Sequence, residues 1–250
     1  MLLLVMSDWA DIYQRVANIA RKDAVGVLFF RGHSDSSWPL LPGLARTGKT
    51  AASNLGFDEF FKLESSIYAR FVTRAGDLLR DSADSWANLF AMQHHGLPTR
   101  LLDWSRTFSV ALYFALLNAG SEAAVWILDP YDLNERTRNS PGLIEPSDLP
   151  GTYAEYYLDR TMTLGCDVAA ISPIAHSPRV FSQRAAFTLH DNLEDPLETL
   201  HPQYLTKVRI PATAYDDAWQ FLHLAGISEF TLFPDLDGLA REIRHTYFAV

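Results

Sequence analysis

The sequence predicts an α+β fold in a single domain, with a mixed or antiparallel sheet among surrounding helices. Helical periods crowd the first half of the chain, while short apolar strand-like runs are spread through its middle and end. The 250 residues, 48% hydrophobic and 20% charged, suffice for one sizeable core. No internal repeat or low-complexity tract divides them. One domain is therefore expected over 1–250, with its core at about 25–245 behind an N-terminal helix within 1–24.

Apolar residues Trp9, Ile12, Tyr13, Val16, Ile19 and Ala20 follow helical spacing behind Asp8, a suitable N-cap. Residues 25–31 read as a strand buried on both faces, because Val27, Leu28, Phe29 and Phe30 leave no polar side. Residues 33–50 carry prolines and glycines without a period and are expected to be irregular. A helix is predicted over 57–79, with Phe60, Phe61, Leu63, Ile67, Phe71 and Leu78 as a core stripe. In the next helix Trp86, Leu89, Phe90, Gln93 and His94 share one face, and Gly96 closes it as a C′ residue. Thr107 or Ser109 opens a helix that is apolar nearly all round (Val110 to Leu117), which belongs in the centre of a fold.

Residues 123–128 form the next expected strand, and 129–151 read as a connector in which Asp129 and Asp132 are loop residues. Strands are predicted over 180–190 and 206–210, a helix over 213–226, a short strand over 230–233 and a terminal helix over 237–245. Before that last helix, Pro234 and Asp235 make a turn, Asp237 caps, and Leu236 and Leu239 pack.

Composition excludes several classes. With 21 Lys and Arg against 30 Asp and Glu, the net charge of -9 repels polyanions, so only a local basic site suits a nucleic acid or a dinucleotide. The single cysteine, Cys166, precludes an internal disulfide and a multi-thiolate metal site. No apolar run approaches membrane-spanning length, and residues 2–5 lack the basic flank of a signal peptide. A cytoplasmic chain without membrane partners is expected.

The densest chemistry lies in Gln93-His94-His95-Gly96-Leu97-Pro98-Thr99-Arg100-Leu101-Leu102-Asp103-Trp104. Polar groups between two apolar helical patterns must satisfy one another or a ligand. Adjacent helical residues diverge by about 100° around the axis, so His94 and His95 do not face one metal ion. His94 falls on the inward face, while His95 is solvated or caps the helix end. No metal is expected, and a metallohydrolase of His94, Asp103 and His190 is the weaker alternative. Arg31 follows the first strand and precedes Gly32, which lets a ligand approach the backbone. It either grips phosphate or pairs with a buried carboxylate such as Asp103. Thr99, Arg100 and Asp103 are either site residues or an internal clamp, and Trp104 suits a core better than a stacking platform.

Phe30-Arg31-Gly32-His33, the 93–104 block, Val110-Ala111-Leu112-Tyr113-Phe114-Ala115 and Phe233-Pro234-Asp235-Leu236-Asp237-Gly238-Leu239 together resemble the FRG-domain family. A more distant similarity is to ADP-ribosyltransferases. These carry an aromatic-Arg-Gly on the first strand, a Ser-Thr-Ser strand leading into a Val-Ala-x-x-Phe-Ala-like helix, and a later strand with a catalytic Glu or Gln. Here Asp103-Trp104-Ser105 stands at the middle motif, and Gln183 stands where Glu is usual. This second resemblance implies a split sheet and NAD as co-substrate. It implies catalytic roles for Arg31, Asp103 and Gln183, and binding roles for Arg31, Gly32, His94, Thr99, Arg100 and Ser105.

Removing nicotinamide from NAD develops positive charge at the ribose carbon, which a carboxylate such as Asp103 stabilises. The expected activity is NAD-dependent ADP-ribosyl transfer or NAD glycohydrolysis on a nucleic acid, nucleotide or protein, in phage defence or as a toxin. The alternative is a non-catalytic module that binds a nucleotide or a partner in the same arginine-lined pocket.

Overall fold

The computed structural model describes residues 8–22, 26–50, 57–79, 83–174 and 178–248. Helix α1 (Asp8–Lys22) opens them and buries Ile12 and Val16. Strand β1 (Phe29–His33) follows, and the first residue of the strand expected over 25–31, residue 25, lies outside the described residues. The irregular reading of 33–50 is corrected at its end, where Gly43–Thr50 forms α2. Helix α3 (Phe57–Ala75) runs into a single 3-10 turn, and α4 (Ser85–His94) comes next. Asp84 caps α4 by accepting from the Ala87 amide at 3.0 Å. At its other end the Gly96 amide reaches Gln93 O at 3.1 Å and the Leu97 amide reaches Met92 O at 3.0 Å. Gly96 has φ of 80°, so this is a Schellman closure that needs the glycine.

Strand β2 (Leu101–Ser105) leads through Thr107 into α5 (Phe108–Leu116), and β3 (Glu122–Leu128) follows. Residues 130–138 are not a connector but helix α6 (Pro130–Arg138). Asp129 is its N-cap, accepting from the Tyr131 and Asp132 amides at 3.0 Å each, and Pro130 suits the first helical turn. Strand β4 (Val168–Ile171) and the short helix α7 (Pro178–Ser182) precede β5 (Ala185–His190), so the strand expected over 180–190 begins at 185. Helix α8 (Leu197–Leu200), β6 (Leu205–Pro211) and α9 (Tyr215–Leu224) come next. The segment expected to be a strand at 230–233 is helix α10 (Glu229–Leu232), because Ser228 and Thr231 form a reciprocal capping box. In α11 (Leu236–Phe248) Asp235, not Asp237, caps by accepting from the Gly238 amide at 2.7 Å, and Leu236 is exposed.

The six strands form one continuous sheet in the order β4-β5-β2-β1-β3-β6, every named pair antiparallel. This is the α+β architecture expected; a division into two sheets is not seen among the described strands. The pairing is uneven. β1 meets β3 at five register positions and β2 meets β5 at five, but β1 meets β2 only at Phe30 opposite Ser105.

Side chains alternate across the sheet. Phe30, Val125, Ile127, Val208 and Ile210 pack under α1, α5 and α9 in the largest cluster. Leu101, Ala169, Ile171, Phe187 and Leu189 pack with Trp86, Leu89 and Phe90 of α4. Phe29, Leu102, Trp104, Trp126 and Leu128 form a third cluster with Leu133 of α6. Leucines as fully buried as Leu89, Leu112 and Leu133 each contribute roughly 1.5–3 kcal/mol. Among the described residues no helix is long and apolar enough to cross a membrane.

Candidate functional site

Where β1 and β2 part company, the sheet exposes a cleft of about 1390 Å³. Val110, Ala111 and Phe114 of α5 wall one side, and Phe90, Ala91 and His94 of α4 are on its other flank. Phe30, Asp103, Ser105 and Phe187 lie along the strands. A cleft with mostly apolar walls and a few convergent polar groups is the ordinary form of a small-molecule site.

Arg31, Asp103 and Gln183 all line it. They come from β1, from β2 and from the turn before β5, which are brought together by the β1-β2-β5 adjacency. Arg31 Nη1 donates to the Asp103 carbonyl at 2.7 Å and stands 4.0 Å from its carboxylate; Arg31 Nε donates to His33 Nε2 at 3.1 Å. A guanidinium thus occupies the gap in the backbone ladder. Burial pulls Arg31 down from its ordinary value to about 10, with Asp103 opposing the shift and Arg46 adding to it. It is still a cation at neutral pH. Burial, reinforced by Arg31, holds His33 down at about 3, so His33 is neutral.

Asp103 is 56% exposed, the one strongly exposed position of β2. Gln93 Nε2 donates to its Oδ2 at 2.7 Å, and Gln93 Oε1 in turn accepts from the Thr99 hydroxyl. That hydroxyl also accepts from the Leu101 amide at 3.1 Å. Thr99 therefore acts at one remove: it is 2% exposed, outside the cleft, and fixes the amide that fixes the carboxylate. From the sequence Gln93 belongs only to a helix face; its position ten residues before Asp103, at the end of α4, is the signal that places it.

Arg100 does not join the cleft. Only 6% exposed, it makes a two-pronged pair with Glu64 of α3, with Nε to Oε1 at 2.7 Å and Nη2 to Oε2. Nη1 donates to the His190 carbonyl at 2.6 Å, the Tyr157 ring lies 3.9 Å beneath, and the Tyr153 hydroxyl donates to Glu64. Burial opposes the charge of Arg100, but Glu64 holds it above its ordinary value. Arg100 is thus the internal clamp, with Glu64 in place of Asp103 as partner. A metal set of His94, Asp103 and His190 is also broken up, because His190 is fully buried beside Thr188 at 2.9 Å. Among the described residues no group of three or more His, Cys, Asp or Glu is arranged to hold a metal ion.

Gly32 lines the cleft, but its lack of a side chain answers to α5. A Cβ there would overlap the Ala111 carbonyl oxygen and lie 2.5 Å from the Ala115 nitrogen. Ser105 is buried, donates to the Gln183 carbonyl at 2.7 Å and accepts from the Thr107 amide at 3.1 Å, so it sets the turn that carries Gln183. Gln183 Nε2 donates to the Leu232 carbonyl at 3.2 Å. His94 lies at the rim with its ring 5.0 Å from that of His95, and partial burial, His95 and Arg179 lower it. Trp104 is core, its Nε1 donating to Thr188 at 3.0 Å. The second arginine near Asp103 is Arg179 of α7, stacked 4.7 Å over Phe233. No motif in the sequence singles it out.

The fold and the cleft define an α+β protein with an arginine- and carboxylate-bearing pocket at a sheet seam. Residues 27–124 match the family model of the FRG domain. The matched stretch holds Arg31, Gly32, the 93–104 block and α5; Gln183 and the 233–239 segment lie outside it. No curated protein and no solved structure matches the chain.

Proposed function

We propose that the chain consumes NAD, transferring its ADP-ribose to an acceptor or to water. The convergence of Arg31, Asp103 and Gln183 on one cleft carries this reading. Arg31 and Arg179 supply paired guanidinium donors for a pyrophosphate. Phe30, Phe90, Phe114 and Phe187 offer apolar surface for planar rings and exclude water. The Gln183 amide suits a hydrogen bond to a ribose hydroxyl.

Asp103, held by Gln93, meets the positive charge that grows at the ribose carbon as the nicotinamide nitrogen leaves with its bonding electrons. The acceptor's electron pair then forms the new bond to that carbon, and its proton passes to the Asp103 carboxylate. The donor set fits such chemistry, with one carboxylate for developing positive charge, cations for phosphate and, among the described residues, no competing carboxylate in the cleft. Such an NAD-consuming activity suits a toxin or a phage-defence effector working in the cytoplasm.

A second reading is favoured by one residue. Gln183 is neutral and supplies no charge where a glutamate is usual, which suits a non-catalytic module that binds a nucleotide in the same cleft. Incubation with NAD, with free nicotinamide followed by chromatography, separates the two. The enzyme reading expects release that Arg31→Ala abolishes while the thermal transition is kept. If no nicotinamide appears but NAD raises the melting temperature, the binding module is correct, since ligand at 100 times its Kd adds about 2.7 kcal/mol.

A further inference from the structure

Beyond the Arg31–Asp103–Gln183 centre the cleft runs onto a wall made by α2 and α3. On α3, Ile67, Arg70, Phe71 and Arg74 recur at spacings of three and four, so they share one face, and all four line the cleft. From the sequence this stripe belongs to the core. In the structure only its first part does, since Phe60 is buried whereas Leu78, just past the helix, is 88% exposed. Half-buried Ile67 and Phe71 and the exposed Arg70 and Arg74 thus line the cleft side by side.

Arg46 of α2 lines the same wall and lies near enough to depress both Arg31 and His33, so wall and centre share one field. Trp38 lines the cleft as well, 48% exposed, its ring 6.1 Å from that of His33. Among the described residues, the cleft lining includes five arginines (31, 46, 70, 74 and 179) and a single carboxylate, Asp103, in a chain whose net charge is -9. Its 1390 Å³ exceeds the roughly 300–1,000 Å³ that encloses one small ligand.

Local positive charge, an open aromatic face and excess volume together fit a flexible polyanion with planar groups. We propose that the α2–α3 wall binds a single-stranded nucleic acid and presents it to the centre as the ADP-ribose acceptor. This rests on the transferase reading above. Arg46, Arg70 and Arg74 hold backbone phosphates, and Trp38 stacks a base. The acidic remainder of the molecule confines the grip to the few nucleotides inside the cleft. The new bond joins the ribose carbon to a nucleophilic nitrogen or oxygen of the strand, with nicotinamide as leaving group and Asp103 receiving the proton.

Binding is measured without NAD, by fluorescence anisotropy of labelled single strands of about twelve nucleotides, DNA and RNA, at salt between about 50 and 200 mM. Saturable binding that weakens with salt is expected for at least one of them. Arg70→Glu with Arg74→Glu should weaken it about tenfold or more, and Trp38→Ala about fivefold, with thermal transitions retained. Should the charge reversals unfold the chain, Arg70→Gln with Arg74→Gln gives the same reading at smaller amplitude. An acidic peptide of equal charge should not compete.

Absence of saturable binding by the wild-type chain overturns the proposal. So does binding that the arginine variants leave unchanged, or equal competition by the peptide, which makes the wall an undiscriminating anion trap. Because NAD is absent, a chain that releases no nicotinamide can still pass this test, and an active one can still fail it.

Discussion

Two regions of the molecule draw their charge from the same short segment and use it in opposite ways. Arg100 enters the core, where Glu64 and the His190 carbonyl accept from its guanidinium and the Tyr153 hydroxyl donates to Glu64. Asp103, three residues on, faces the cleft more than half exposed, steadied by Gln93 and Arg31 but with oxygen lone pairs to spare. The period of two in β2 accounts for part of this, because Leu101 and Asp103 share a face while Leu102 and Trp104 pack on the other. A charged group answered within the fold is architecture, and one left partly unanswered is available to a ligand.

The largest effect should come from the clamp. Arg100→Met strands Glu64 as a buried charge and should cost about 3–5 kcal/mol, read as a fall in the urea midpoint. Arg100→Met combined with Glu64→Leu should recover most of that loss, and failure to recover would show that shape rather than charge sets the value of the pair. Acid tests both regions, since each owns a buried histidine held at about 3: His33 beside Arg31 and His190 beside Arg100. The fold favours their neutral forms, whereas unfolded histidines take up a proton near 6.5. Their stabilisation is therefore complete above that pH. It should fall by about 1.4 kcal/mol per pH unit for each histidine as the pH drops from 6.5 toward 3. Urea titrations at successive pH values should show a shallower decline for His190→Gln than for the wild type.

Gly32→Ala is expected to cost about 1–3 kcal/mol, because the methyl group meets the backbone of α5 rather than a movable side chain. A cost near zero would mean that α5 shifts easily off β1. The smallest change in stability belongs to Asp103→Asn, within about 0.5 kcal/mol. On the proposed NAD-consuming reading, nicotinamide release should nevertheless fall about a hundredfold or more. Unequal effects of that size on stability and activity would separate cleft from clamp most sharply.

Much of the frame is legible in the sequence because its signals are local. The all-apolar run of α5, the Gly96 closure of α4 and the strand at β3 each rest on residues within one element. The errors fall where a neighbour decides. Pro130 after Asp129 opens α6 where proline-rich composition suggests a connector, and the Ser228–Thr231 box makes a helix of Phe-Thr-Leu. The four small and β-branched residues of β4 are too few to show a period.

At the site, the resemblance to ADP-ribosyltransferases names Arg31, Asp103 and Gln183 together, but it is the β1-β2-β5 adjacency that brings them to one cleft. The partner of Arg100 does not appear that way, since Glu64 lies 36 residues away on a helix whose stripe gives no hint of a buried carboxylate. Arg179 escapes notice for the same reason, as only the sheet order brings α7 beside Asp103.

The single register pair between β1 and β2 has a mechanical consequence. Seams fastened by four to seven ladder positions share strain along their length, whereas this one is pinned at Phe30 and Ser105 and then bridged by a side chain. Bending of the molecule is therefore concentrated along the floor of the cleft, with Arg31 as its fastening. A molecule that draws Arg31 away loosens the joint it is sitting on.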